Sequence, residues 1–221
     1  ENAEELVLLA EANKVSAMVG HVLLFHPAVV KIKKMIDNGD IGDLQYIYSN
    51  RLNLGKVRTE ENVFWSLAPH DIAIFQYLTN LTPKTINATG STFLQKGIPD
   101  STLTQLEYGN GVKGHIFVSW LHPFKEHRLV VVGSEAMISF EDALNDSILK
   151  FYSKKINIKF GIPEKIDGPV KILPFEKRMP LELELEYFIK HLDGERPKIS
   201  NIENGLEVVK ILVDASRQIM G

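Results

Sequence analysis

Between Pro83 and about Tyr152 the chain reads as one strand after another: Thr85–Leu94, Ser101–Tyr108, Val112–Leu121, Arg128–Gly133, Met137–Glu141 and Ile148–Tyr152. Each segment favours β-branched or aromatic residues and is bounded by turn formers. Asn110-Gly111 and Gly133-Ser134 mark two of the turns, and Asn-Gly is a strong hairpin signal. Strands joined by short turns pair antiparallel, so this region predicts a meander and a mostly antiparallel sheet. A sheet that large has a face that must be covered, and the rest of the chain has to supply helices to do it.

The flanking segments supply them. Residues 4–14 predict a helix, with Leu6, Leu9, Ala10 and Asn13 at helical spacing. Ala17-Met18-Val19, ending at Gly20, reads as a short buried strand. Pro27 opens a second helix with Val29, Ile32 and Ile36 on one face and Gly39 as its stop. The first forty residues thus read α-β-α, like the tail of an α/β domain. Residues 44–51 alternate as a strand, and a charged loop runs from Gly55 to Asn62. Pro69 predicts the first position of a helix burying Ile72, Phe75 and Leu78. Residues 153–179 read as an extended Pro/Gly-rich segment. Leu181–Leu192 alternates Leu and Glu at first, but Leu181, Leu185, Phe188 and Leu192 keep helical spacing and Gly194 supplies a stop, so it reads as a helix. Ser200 with Glu203 forms a candidate capping box for a last helix striped by Leu206, Val209 and Leu212.

Composition narrows the function. A chain of 221 residues can bury a real core, and a net charge of −3 leaves no basic footprint for nucleic acid. No apolar run reaches the length of a membrane span. The absence of cysteine excludes disulfides and thiolate zinc sites and fits a cytoplasmic protein. The chain opens at Glu1 rather than Met, so a preceding segment is expected.

Several motifs carry chemistry on paper. Gly109-Asn110-Gly111-Val112-Lys113-Gly114 matches G-x-G-x-x-G, but a β-rich run follows it, whereas the dinucleotide fingerprint needs a helix there. It reads as a hairpin turn. Neither His21 with His26 nor His122 with His127 has the helical i, i+4 spacing of a metal pair, so no metal is expected. Glu60-Glu61 reads as a solvated loop pair. Arg51 and Asn53 end a strand, where a guanidinium and an amide can hold an anionic or hydroxylated ligand; a surface ion pair of Arg51 with Glu60 or Glu61 is the other reading. Trp65-Ser66-Leu67-Ala68-Pro69-His70-Asp71 places an imidazole and a carboxylate in the expected first turn of a helix. His70 either bonds a neighbouring loop or, titrating near neutrality, holds or deprotonates a hydroxyl.

Taken in order, these stretches resemble the carboxyl-terminal two-thirds of the Gfo/Idh/MocA family of NAD(P)-dependent oxidoreductases, closest to the branch acting on nucleotide-linked amino sugars. Val19 to Val29 looks like the last strand of the nucleotide domain and the crossing into the second domain. Gly39-Asp40-Ile41-Gly42-Asp43-Leu44 resembles the turn into the large sheet, and Ser119 to Pro123 with Arg128 to Gly133 resemble later strands. Arg51 to Gly55 and Trp65 to Asp71 are the branch-like pieces. The resemblance implies an α+β fold: a large, open, mostly antiparallel sheet with helices on one face, preceded by the last β/α elements of a Rossmann-like domain. Residues 1–26 would be the remnant of that domain and 27–221 the substrate and oligomerisation domain, with the last helix packing back. The intact protein would oxidise a secondary alcohol of a sugar, with a nucleotide sugar as the expected substrate and NAD or NADP as cofactor. His70 matches the family's second active-site position. Arg51, Asn53 and Trp65 become expected substrate contacts, Asp71 joins them or serves as a helix-start charge, and His21 lies on the cofactor side. Many members carry Asp where Ser66 stands, so charge support for His70 is missing at that position. The family's acid–base lysine would fall before Glu1, and the chain alone is expected to be inactive. A non-catalytic sheet domain for oligomerisation or ligand binding is the rival expectation, and a cytoplasmic homo-oligomer built through the sheet is expected in either case.

Overall fold

A computed structural model describes residues 2–142, 147–192 and 195–220. One eight-stranded sheet organises it. The strands are β1 (Leu44–Leu52), β2 (Thr85–Ser91), β3 (Ser101–Glu107), β4 (Lys113–Ser119), β5 (Glu126–Gly133), β6 (Met137–Asp142), β7 (Ser147–Lys159) and β8 (Ile162–Ile172). Their spatial order is β2-β3-β4-β1-β5-β6-β7-β8. The expected meander is therefore interrupted. β1 inserts between β4, which it pairs in parallel, and β5, which it pairs antiparallel. Turn chemistry fixes only neighbouring hairpins, and nothing local in β1 specifies partners about 65 and 80 residues away.

Period-2 alternation decides the two faces. Ile47 and Ser49 of β1, Ile116 and Val118 of β4, Leu129 and Val131 of β5 and Ile138 of β6 are buried under helices. Tyr46, Tyr48, Phe117, Val130, Val132 and Met137 point the other way, toward the face opposite the described helices. The covering helices are α1 (Asn2–Asn13), α2 (Pro27–Asp37), α3 (Val63–Thr79), α4 (Pro180–Lys190) and α5 (Ile202–Ile219), with a short 3-10 turn at Val22–Phe25. Helix α3 crosses β4 closely because Gly114 has no side chain: a Cβ there would meet Phe75 at 2.9 Å.

Helix α5 closes the open edge at β2. The Gln218 amide accepts from the Ala88 N–H at 2.9 Å and donates to the Ile86 carbonyl at 2.9 Å, as a further strand would. The same helix anchors the amino-terminal segment. Val19 N–H donates to the Ser200 carbonyl and Ser200 Oγ donates back to the Val19 carbonyl. Residues 17–19 thus form only an isolated bridge, Met18 with Asn201, rather than a strand of the sheet.

Three other expectations need correction. Ser200 does not cap α5; its φ of 58° is incompatible with the extended conformation of an N-cap, and Asn201 caps instead by accepting from Asn204 N–H. The buried stripe of α5 is accordingly Val208, Ile211, Leu212, Ala215 and Ile219. Residues 153–179 are not merely extended: most of them build the β7–β8 hairpin, turning at Phe160-Gly161 with φ of 54° and 81°. Ile156–Lys159 and most of β8 are exposed on both faces and no residue from 153 to 172 is buried, so this stretch lacks the apolar alternation that reveals a half-buried strand. Helix α4 forms as expected, but Leu181 and Leu185 are exposed while Leu183 and Tyr187 pack on the core. Its expected stop, Gly194, lies outside the described residues. Among the described residues no helix is long and apolar enough to cross a membrane.

Candidate active site

Helix α3 starts earlier than Pro69. Asn62 is extended, and its Oδ1 accepts from the N–H groups of Phe64 and Trp65 at 3.0 and 3.1 Å, satisfying two orphan donors. Burial of Val63, Phe64, Ala68, Ile72 and Phe75 then carries the helix through the proline. His70 and Asp71 consequently lie in the helix interior, and the first-turn dipole argument does not apply to them.

Asp71 faces the sheet and meets Arg51 of β1. Arg51 Nε and Nη2 donate to the two carboxylate oxygens at 2.8 and 3.0 Å, a two-pronged ion pair with side chains only 12% and 4% exposed. Burial works against the Arg51 charge, but the Asp71 carboxylate more than offsets it and raises the guanidinium above its ordinary range. Arg51 Nη1 also lies 3.4 Å from His127 Nδ1, its neighbour in the β1–β5 register. Burial, and then the Arg51 charge, push His127 down to about 4, so it stays neutral. Arg51 therefore pairs with neither Glu60 nor Glu61; Glu61 instead sits 4.0 Å from Arg58 in the charged loop. His127 was missed in the sequence because its role depends on strand register.

His70 is half-buried, and its Nδ1 has no hydrogen-bond partner. Burial, followed by the Arg51 charge, lowers its pKa against a smaller pull upward from Asp71, so the ring favours the neutral form. Beside it, edge-on at 6.2 Å between ring centroids, lies the buried His21. No side-chain hydrogen bond joins Ser66 to His70. Trp65 turns away to another contact: its Nε1 donates to Ser216 Oγ at 2.8 Å, tying α3 to α5, and its ring walls a cavity of about 400 Å³ with Asn62, Ile98 and Met220. His21 lines a separate cavity of about 300 Å³ with Gln76, Asn80, Ser200 and Asn204. Asn53, just past β1, donates its N–H to the Ser119 carbonyl at 3.1 Å. The structure thus joins Arg51 to Asp71 and His21 to His70, and leaves Asn53 and Trp65 outside both pairs.

The glycine run forms the β3–β4 hairpin turn, with Gly111 at φ 86° and Val112 N–H bonded to Asn110 Oδ1. No helix begins there, so these glycines do not fit the pyrophosphate of a dinucleotide. Among the described residues no group of three or more His, Asp or Glu side chains is placed to hold a metal.

Comparison with known proteins agrees with this architecture. The family model for the Gfo/Idh/MocA C-terminal domain matches residues 29–139. An uncharacterised oxidoreductase from Streptococcus pneumoniae is 24% identical over 157 residues, covering 64% of this chain and 42% of that protein. UDP-N-acetylglucosamine 3-dehydrogenase from Acidithiobacillus ferrooxidans is 24% identical over 198 residues, covering 89% of this chain and 60% of the enzyme. The chain thus spans about half the length of these two relatives. A solved structure of the Acidithiobacillus enzyme superposes with a TM-score of 0.82 at 21% identity, over 99% of this chain and 67% of that one. The aldose-aldose oxidoreductase from Caulobacter crescentus superposes with a TM-score of 0.79 at 14% identity, over 98% and 66%. With the same open sheet and a family model spanning half of its residues, this chain belongs to the Gfo/Idh/MocA C-terminal domain family.

Proposed function

We propose that the chain is the substrate side of an oxidoreductase that removes hydrogen from a secondary alcohol of a sugar, with a nucleotide sugar as its substrate class. The observation that carries this reading is His70: a neutral, half-buried imidazole with an unpartnered ring nitrogen, in a chain of this family. Such a ring can accept the proton of an alcohol near neutral pH. NAD or NADP is the oxidant the reading requires; the glycine run at 109–114 is a hairpin turn rather than its cradle, and only the proton half of the reaction is assigned to this chain. Arg51 and Asp71 serve the site by fixing α3 to β1 and so holding His70 in place. Asn53, at the rim of β1, is the candidate for a direct substrate contact. The relative named as a UDP-N-acetylglucosamine dehydrogenase is what favours a nucleotide sugar over a free one.

The test is an absorbance assay of the intact parent protein with NAD or NADP and UDP-N-acetylglucosamine, comparing wild type with His70→Ala. A His70→Ala protein that folds normally and keeps its turnover removes His70 from the chemistry. The reading also requires that the 221 residues alone bind NAD more weakly than micromolar, which calorimetry measures.

A second reading, assembly through the sheet, rests on the face opposite the described helices. Tyr46, Tyr48, Phe117, Val130, Val132 and Met137 place apolar surface there. Tyr48 stacks on His115 at 5.1 Å, and Tyr46 bonds the same ring. A patch of this kind marks an interaction site, and a cytoplasmic homo-oligomer joined at this face is compatible with the enzyme reading. Light scattering that returns a monomer at high protein concentration would exclude it.

A further inference from the structure

Among the described residues three buried imidazole nitrogens have no hydrogen-bond partner, and two of them, on His21 and His70, belong to neighbouring rings. His21, 6% exposed, leaves Nε2 unbonded, and His70 leaves Nδ1 unbonded. An orphaned polar atom of this kind costs about 1–3 kcal/mol, so two side by side call for a common explanation. The rings sit at 84° with centroids 6.2 Å apart and do not bond each other. A single oxygen can bond both nitrogens when they lie within about 5.6 Å of each other, and ring centroids 6.2 Å apart allow that when the two nitrogens turn toward each other.

The chemistry of the bridging group follows from charge. Burial, and then the nearness of His70, hold His21 at about 4, so it is neutral across the physiological range. His70 is also shifted toward neutrality, with Arg51 lowering and Asp71 raising it. Each neutral imidazole carries one donor and one acceptor nitrogen. A hydroxyl group can donate to one ring while accepting from the other without bringing a charge into this buried site, whereas phosphate brings negative charge that two neutral rings do not balance. The cavity of about 300 Å³ that His21 lines is walled by Gln76, Asn80, Ser200 and Asn204, whose amides and hydroxyl suit further alcohol groups.

We infer that His21 and His70 form a two-imidazole clamp on one hydroxyl of a polyhydroxylated ligand, with the adjoining cavity receiving the hydroxyls next to it. The clamp rests on the reading of His70 as the group that faces the substrate alcohol, and it moves His21 from the cofactor side to the substrate side. When His70 accepts the proton, the N–H of His21 still holds the oxygen, which makes His21 a substrate-contacting and positioning group rather than a base.

The test uses the full chain labelled with ¹⁵N at histidine, observed by long-range proton–nitrogen spectra at pH 7, with N-acetylglucosamine as the probe and inorganic phosphate as its rival. The clamp requires the ring nitrogens of His21 and His70 to move on one saturation curve with the sugar. His21→Phe should weaken that curve up to about tenfold, the equivalent of one neutral hydrogen bond. His21→Gln, which restores a donor and an acceptor, should recover part of it. A purely structural His21 would leave the His70 response unchanged in a folded His21→Phe chain. Movement of His70 alone overturns the clamp and leaves the proposed function standing. Movement of other residues with neither ring responding overturns both, as does no response to the sugar at all. Movement of both rings with phosphate but not with sugar makes the site an anion site and also overturns the clamp.

Discussion

Replacing Asp71 with Asn would leave Arg51 buried with its charge uncompensated. The pair is joined at 2.8 and 3.0 Å with side chains 12% and 4% exposed, and the guanidinium is held above its ordinary range, so it cannot escape by losing its proton. At 2.8 Å and an effective dielectric of about 20 the attraction is about 6 kcal/mol. Desolvation of both ions offsets much of that, and removing one partner of a buried pair costs about 3–5 kcal/mol. For a chain of 221 residues this corresponds to a fall in Tm of roughly 6–20 °C. Urea unfolding followed by circular dichroism, with thermal melts alongside, measures both quantities. The control is Glu107→Gln, which breaks the exposed Lys113–Glu107 pair and should cost less than about 1 kcal/mol. The double variant Arg51→Met/Asp71→Leu should recover most of the loss, because a packed apolar pair needs no desolvated charge. If Asp71→Asn costs no more than the exposed control, or the double variant is no better than the single one, the pair is not the brace described.

Other perturbations are equally specific. Burial is the leading cause that holds His21, His26 and His127 below the ordinary histidine range, with His21 and His127 at about 4. The unfolded chain therefore takes up protons near pH 6.5 before the folded chain does, and stability that is complete above about 6.5 is lost as pH falls toward about 4. The slope reaches about 1.4 kcal/mol per pH unit for each histidine, and a flat urea midpoint between pH 7.5 and 5 would contradict it. Gln218→Ala should expose the β2 edge, cost about 1–2 kcal/mol and speed hydrogen exchange at the Ala88 amide; unchanged exchange there would mean that the edge is closed by something else. Gly114→Val should push α3 off β4, since even a Cβ meets Phe75 at 2.9 Å and the Ile47 carbonyl at 3.3 Å, and cost about 1–3 kcal/mol in the same unfolding assay.

Much of the fold was legible because its signals are local. Alternation along β1 and β3 to β6, the Asn110-Gly111 turn, Pro27 opening α2 and helical spacing in α4 each act over a few residues. Local signals also misled where two competed. The proline rule placed a helix start at Pro69, but the Asn62 side chain binds two amides and starts it at Val63. Ser200 fits a capping box by spacing, yet it is in the left-handed region and Asn201 takes the role.

The candidate site divides along the same line. The residue types that matter, His21, Arg51, His70 and Asp71, stand out in the sequence because each carries chemistry uncommon in a buried stretch. Their pairings do not, because they depend on where β1 lies. Once β1 sits between β4 and β5, Arg51 is opposite His127 and paired with Asp71. Once residues 17–21 fold against the start of α5, His21 is set edge-on to His70. Spacing along the chain determined the strands, the helices and the inventory of reactive groups, since those follow from backbone geometry and side-chain period. Only the tertiary structure decided which groups meet, because long-range strand register and helix docking are settled by burial of the whole sheet rather than by any one segment.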